Sequence, residues 1–347
     1  MKKKLTVLLW FCVCCCLILS DAAAQQEHNV WIFGDKAGLD FNPGPPVPLV
    51  SDIGHGNKEA AASVCDAQGN LLFYTDGSRV WNRNHMLMSN AQPLHPLPSS
   101  TGVTESTYQG TVIVPAIGSD SLYYVFSLTQ SDFYSTNPSY STYGGRLFYS
   151  VVDMSLDSGL GDVVPGSKWL ALDFNLTEKM IAIPGNNCNV WLLVHDIDAN
   201  MFKAYEITRS GVSTSPVRSY SGVHGILLNT QLRNQWHLTG QMSVSPDRTR
   251  IGYNSVTASY SELHDFDPAQ GIVSNGQILD SISPMIGGHS THSGICFSSD
   301  NSKVYISSVR NDLLSGNRYF LCQFDLNAPG GMPGVRASRL FLGETFI

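Results

Sequence analysis

Asp66–Arg83 reads DAQGNLLFYTDGSRVWNR, and its turn chemistry decides how the rest of the chain is read. Asp66-Ala67-Gln68-Gly69-Asn70 is a tight turn, because Gly and Asn accept positive φ at little cost. Leu71 to Thr75 is a short apolar and aromatic strand. Asp76-Gly77 is a second turn, of the hairpin type, and Val80-Trp81 opens another strand.

Weaker copies of this unit follow towards the C-terminus. The second is Thr111 to Val114, a turn from Pro115 to Asp120, then Leu122 to Leu128 and Arg146 to Val152. The third is Met180 to Ile183, a turn from Pro184 to Asn189, then Val190 to His195 and Phe202 to Ile207. The fourth is Met242 to Val244, the turn Ser245-Pro246-Asp247-Arg248-Thr249, then Ile251 to Asn254 and Glu262 to Phe266. The fifth is Ile295 to Phe297, the turn Ser298-Ser299-Asp300-Asn301-Ser302, then Val304 to Ser307 and Phe320 to Phe324. An aspartate stands at the end of four of these units: Asp153, Asp196, Asp265 and Asp325. The turns recur at roughly 50 to 70 residues, against about 40 to 50 for a compact multi-strand blade, so the units carry loop insertions. Upstream, Asn29 to Gly34 and Ala37 to Phe41 alternate as strands, and Asn42 to Pro48 reads as a proline-rich connector that ladders poorly. Ser131 to Gly145 and Ser210 to Gly240 read as rim insertions. No amphipathic helix is visible.

The fold expected is all-β, a β-propeller with about five blade-like units. The last residues, Arg339 to Phe346, read as the start of a further strand, so the expectation is a chain truncated from a six- to seven-bladed propeller.

Bulk composition fits. The chain has 347 residues, 43% of them hydrophobic, and 14% are charged, below the roughly 25% of an average domain. Residues 1–24 are a targeting segment: Lys2 to Lys4, an apolar run from Leu5 to Leu19, and a small-residue site at Ala22-Ala23-Ala24. The run is too short for a comfortable membrane span. Cleavage after Ala24 and export are expected, which places residues 25–347, the propeller domain, outside the cell or on its outer surface. Cys12, Cys14, Cys15 and Cys16 lie in this leader, without the small residue before them that lipidation uses. The formal charge is −7, and loss of the leader leaves 18 basic against 27 acidic residues. An acidic chain with no basic run is a poor nucleic-acid binder. Cys65, Cys188, Cys296 and Cys322 remain; export permits disulfides in three pairings, whereas packed free thiols are the simpler reading. No CxxC is present, and no zinc site is expected.

SVSPDRTRIGY (243–253) and CFSSDNSKVYIS (296–307) resemble the blade signature of TolB-like and WD-repeat-like propellers. Together with NVWIFGDKAGLDFN, DAQGNLLFYTDGSRVWNRNHMLM, LYYVFSL, LFYSVVDMSLDSGLGDV, VWLLVHD and ELHDFDPAQGIVSN, they resemble the amino-terminal propeller of large secreted Bacteroidota proteins. That resemblance implies a cell-surface protein delivered by type IX secretion through a gliding-motility-associated sorting domain. This chain has no such domain within its 347 residues.

Motifs for chemistry are sparse. There is no GxSxG elbow, no phosphate loop and no dinucleotide fingerprint. Asp66 to Phe73 is one residue too long for a sialidase Asp-box. His289 and His292 stand three apart, but two imidazoles alone do not hold a metal. Asp196-Ile197-Asp198-Ala199-Asn200 and Asp265-Phe266-Asp267 alternate oxygen ligands that calcium accepts, without the glycine and terminal glutamate of an EF-hand. No cofactor is otherwise expected. Glu59, Gln109, Glu178, Gln241 and His292 each precede an inner strand, and are the candidates for a channel mouth that binds an ion or small polar ligand. Two functions follow. One is a non-catalytic recognition or scaffold module for an extracellular protein or glycan. The other is a secreted carbohydrate hydrolase using Glu59 and Glu178 as paired carboxylates.

Overall fold

The computed structural model describes residues 26–54, 59–96, 107–131, 145–222, 239–256, 260–281, 288–312 and 316–346. The leader, most of the Ser131–Gly145 segment, and His224, Trp236 and His237 lie outside the described residues.

The Asp66–Arg83 stretch folds as its turns dictate. Strands β4 (Ala62–Cys65), β5 (Leu71–Thr75) and β6 (Val80–Asn82) form an antiparallel sheet in sequence order. At the first turn Gly69 has φ of 85° and its N–H donates to Asp66 O at 3.0 Å. Asp66 Oδ1 accepts from the N–H groups of Gln68 and Asn70, both at 2.9 Å. At the second, Asp76 Oδ1 accepts from Ser78 N and Arg79 N, and Asp76 Oδ2 pairs with Arg79 Nη2 at 2.6 Å.

Ahead of it, β1 (Val30–Ile32), β2 (Ala37–Asp40) and β3 (Val47–Val50) form a second three-stranded sheet. The proline-rich connector thus ends in a strand, with Pro48 opposite Leu39. It is tolerated because β3 is the edge of that sheet, where a missing N–H breaks no second ladder.

The middle of the chain is one sheet of nine strands. It contains β7 (Thr111–Pro115), β8 (Leu122–Leu128), β9 (Gly145–Asp153), β10 (Asp162–Val163), β11 (Leu170–Pro184), β12 (Val190–Asp196), β13 (Met201–Thr208), β14 (Gly211–Val212) and β15 (Val217–Tyr220). Two units expected to be separate are joined because β11 is fifteen residues long and belongs to both. Its first half pairs with β9 and its second with β12, with register shifts between them and Asn175 at φ of 64°. Bulges of this kind bend a strand and increase its twist. The expected insertion after Ser210 begins as β14 and β15, both paired to β13.

The last two sheets are simple meanders. One is β16 (Met242–Val244), β17 (Arg250–Ser255), β18 (Tyr260–Asp267) and β19 (Ile272–Ser281). The other is β20 (Gly288–Phe297), β21 (Lys303–Asp312), β22 (Gly316–Asp325) and β23 (Leu340–Phe346), with one short helix, α1 (Gly331–Ala337), before β23. Their turns are copies of each other: Ser245 Oγ donates to Asp247 Oδ1 and Ser298 Oγ to Asp300 Oδ1, both at 2.6 Å. Arg248 and Asn301 stand at φ of 62° and 60°, where Gly69 stands in the first copy.

Hydrophobic clusters lie between consecutive units. Val30 and Ile32 meet Tyr74 and Trp81; Phe73 and Val80 meet Val125 and Val152; Phe126 and Leu147 meet Leu192 and Tyr205. Further on, Leu193 and Phe202 meet Ile251 and Tyr253, and Leu263 meets Ile306 and Phe324. The first strands neighbour one another in order, β1 by β4, β4 by β7, β7 by β11, β11 by β16, β16 by β20. Small sheets stacked face to face in chain order make an all-β architecture consistent with a propeller-like fold. Among the described residues no helix is long and apolar enough to cross a membrane.

The four cysteines among the described residues, Cys65, Cys188, Cys296 and Cys322, are unbonded. Cys65 is buried and burial pushes its thiol up, as a packed thiol requires. Cys296, which likewise stands just ahead of its unit's turn, is exposed. Counted back from Gly69 and Asn301 the two differ by one residue, and a strand sends successive side chains to opposite faces.

Candidate functional site

Glu59, Gln109 and Gln241 stand just before the first strand of their units, whereas Glu178 and His292, also expected ahead of a strand, lie inside β11 and β20, because both strands start earlier than their apolar runs do. Gln109, ahead of β7, reaches β16: its Nε2 donates to Met242 O at 2.9 Å and its Oε1 accepts from Met242 N at 2.8 Å. Gln241 Oε1 accepts from Ile295 N at 3.1 Å, tying β16 to β20. Gln109 N donates to Glu178 O at 3.1 Å, tying the approach to β7 onto β11. Three of the five candidates therefore form a belt of hydrogen bonds that draws the first strands together.

Glu178 is 1% exposed. Its Oε1 accepts from Ser131 N at 2.9 Å and Ser131 Oγ at 2.8 Å, and its Oε2 accepts from Tyr108 N at 3.3 Å. These donors hold the two loops that flank it. Glu59 is exposed, immediately ahead of β4. Burial pushes the Tyr108 hydroxyl up, helped by the charges of Glu59 and Glu178. His292 turns away from the belt into its own sheet, with Nδ1 3.1 Å from Ser308 Oγ. Burial lowers its pKa to about 4; Asp280 opposes that shift and Arg339, 3.5 Å from Asp280, adds to it. The side chain of His289 lies outside the described residues.

The acidic turns are engaged locally. Asp196 Oδ1 accepts from Asp198 N and its Oδ2 pairs with Lys203 Nζ at 3.1 Å. Asp198 Oδ2 accepts from Asn175 Nδ2 at 3.0 Å, and Asp265 Oδ2 from Asn275 Nδ2 at 2.7 Å. Among the described residues no three His, Cys, Asp or Glu side chains gather as a metal-holding set.

Two groups escaped the sequence reading. Lys179 is fully buried beside Glu178; its Nζ donates to Thr239 O at 3.1 Å and lies 4.7 Å from the centre of the Tyr253 ring. Burial lowers its pKa to about 7, against the pull of Glu178. A lysine directly ahead of the apolar run Met180–Ile183 was the available signal. Secondly, Ser221 Oγ lies 3.0 Å from His264 Nδ1, and Glu262 Oε2 lies 3.4 Å from His264 Nε2 without the alignment of a hydrogen bond. Gly276 N donates to the same Ser221 oxygen at 2.9 Å. His264 and Glu262 are each 1% exposed, so this serine–histidine–carboxylate group pins β15 to β18 and β19.

A shallow cleft of about 320 Å³ opens beside Glu59, lined by Trp31, Phe33, Gly34, Ala61 and Ala62 among others.

No family model and no curated protein matches the chain. Solved structures that resemble it include a protein from Lactobacillus plantarum, 11% identical, with a TM-score of 0.42 over 91% of this chain and 81% of that one. A functionally unknown protein from Desulfotomaculum acetoxidans is 14% identical, with a TM-score of 0.40 over 88% of this chain and 81% of that one. The GH43_1 enzyme from Xanthomonas citri complexed with xylose is 12% identical, with a TM-score of 0.38 over 87% of each chain. At this level none of them bears on function.

Proposed function

We propose that this protein is an exported β-propeller that serves as a recognition or scaffold module for an extracellular protein or glycan, without catalysis. In this reading the meanders are blades of a six- to seven-bladed ring. The blade set resembles the surface propellers of Bacteroidota delivered by type IX secretion, and its address is the outer cell surface.

The observation that carries the reading is the state of Glu178. A general acid or base must be within reach of the substrate's proton. Glu178 is 1% exposed and accepts three hydrogen bonds from Ser131 and Tyr108. Its partner in the hydrolase reading, Glu59, lies exposed in a different environment. A pair of carboxylates flanking one glycosidic bond needs both on a shared open surface.

The test is to assay the purified chain against a panel of polysaccharides for released reducing ends, beside a Glu59→Gln variant, and to screen the same preparation on protein and glycan arrays. Array ligands without reducing-end release are expected. Turnover that disappears in Glu59→Gln overturns the reading.

A further inference from the structure

The cleft beside Glu59 has a chemistry of its own. Trp31 and Phe33 are two residues apart along β1 and its extension, so strand alternation sends both outward. They stay 48% and 42% exposed. Their rings stand at 85° with centroids 6.4 Å apart, two walls of a corner. Phe41 braces the indole from 4.7 Å, and Trp31 Nε1 donates to His28 O at 2.9 Å. The indole's one donor is spent inside the protein, so it offers a ligand its π surface.

Gly34, Ala61 and Ala62 add no polar side chain to this lining, and the hydroxyl of Ser63, which also lines it, donates to Val30 O at 2.6 Å. Glu59 adds a carboxylate, an acceptor with negative charge. An aromatic face carries negative electrostatic potential and draws cations. The whole chain is acidic, with a formal charge of −7. Ring faces, carboxylate and background field share one sign. A neutral sugar can stack on the rings and donate a hydroxyl to the carboxylate but leaves the charge unmet, and an anion is repelled by all three.

We propose that this cleft binds the alkylammonium end of a lysine side chain presented by a partner protein. The inference rests on the recognition-module reading and narrows its partner to a basic protein surface. The four-carbon stem packs along Trp31 and Phe33, and the ammonium donates to the Glu59 carboxylate. One exposed cation–π contact is weak, so stable capture needs several lysines and falls as salt rises.

The experiment uses the full chain labelled with 5-fluorotryptophan. The Trp31 fluorine signal is the one absent from a Trp31→Phe variant. The chain is titrated with acetyl-tetralysine amide, with the same peptide acetylated on every side chain, and with chitohexaose. The tetralysine peptide is expected to move the Trp31 signal and the other two to leave it in place. Glu59→Gln, which keeps the side chain's shape and removes its charge, is expected to weaken that binding by up to about five-fold, and raised salt to weaken wild-type binding. A Trp31 signal that ignores tetralysine, or follows the acetylated peptide or the sugar equally well, overturns the proposal. Those outcomes leave the recognition reading standing, because that reading fails only on Glu59-dependent turnover.

Discussion

Gln109 and Met242, 133 residues apart, exchange two hydrogen bonds: Gln109 Nε2 to Met242 O at 2.9 Å and Met242 N to Gln109 Oε1 at 2.8 Å. β11 stands between the strands they belong to, neighbouring both β7 and β16. One glutamine side chain spans that gap, so the first strands converge towards a common centre. The side chain acts as a strand partner, satisfying backbone groups that would otherwise be left without one.

Replacing Gln109 with Ala removes both bonds and strands the amide and carbonyl of Met242. A buried group left unsatisfied costs about 1–3 kcal/mol. Urea unfolding is expected to show a lower midpoint with an unchanged slope. Gln109→Glu is expected to be no better, since it keeps the acceptor for Met242 N and sets a second oxygen against Met242 O.

Glu178→Gln is isosteric and removes a charge, yet it is expected to destabilise. The N–H groups of Ser131 and Tyr108, which can only donate, face one carboxylate oxygen each. An amide nitrogen placed there faces a donor, at about 1–3 kcal/mol. The same urea measurement reads this, and hydrogen exchange at Ser131 N is expected to speed up.

Lys179 makes stability rise with pH. Its folded pKa is lowered to about 7 from 10.5 by burial, so between those values the unfolded chain binds the extra proton. The penalty is full below pH about 7 and fades as pH rises, with a slope of at most about 1.4 kcal/mol per pH unit. Glu178, Tyr253, Tyr260 and Glu262 are the other ionisable groups nearby, and burial raises both tyrosines well above the working range. Stability measured from pH 7 to 9 is expected to climb in the wild type and to stay level in Lys179→Met.

His292 acts in a lower window. Burial depresses its folded pKa from 6.5 to about 4. The stability linked to it is present above pH about 6.5 and is lost as pH falls towards 4. An NMR titration of its ring protons is expected to show a neutral imidazole at pH 5, and His292→Gln to flatten that part of the stability profile.

The turns were legible because their chemistry is local. Asp66 to Asn70 and Asp76-Gly77 need particular residues at particular φ, and Ser245 and Ser298 repeat the same hydroxyl–carboxylate contact. Strands whose partners decide them were not. Asp173 and Asn175 interrupt the first half of β11, β19 carries too many polar residues to read as an apolar run, and β3 contains Pro48, which only an edge position permits. At the site, position along the chain found Gln109 and Gln241, since each stands just ahead of a strand start, and it found Glu178 although that residue lies inside β11. Their partners in other units were invisible, because a hydrogen bond to backbone leaves no mark on the residue that receives it. Lys179 was missed for a related reason: its burial comes from Tyr253 and Thr239, far away in sequence.

The convergence of the first strands is tested most directly by nuclear Overhauser contacts in deuterated protein with a protonated Gln109 amide. Cross-peaks from the Gln109 side-chain amide to the Met242 backbone amide, together with slow exchange of both, are the predicted result. A Gln109 amide that exchanges with water and shows no contact to Met242 would contradict the account.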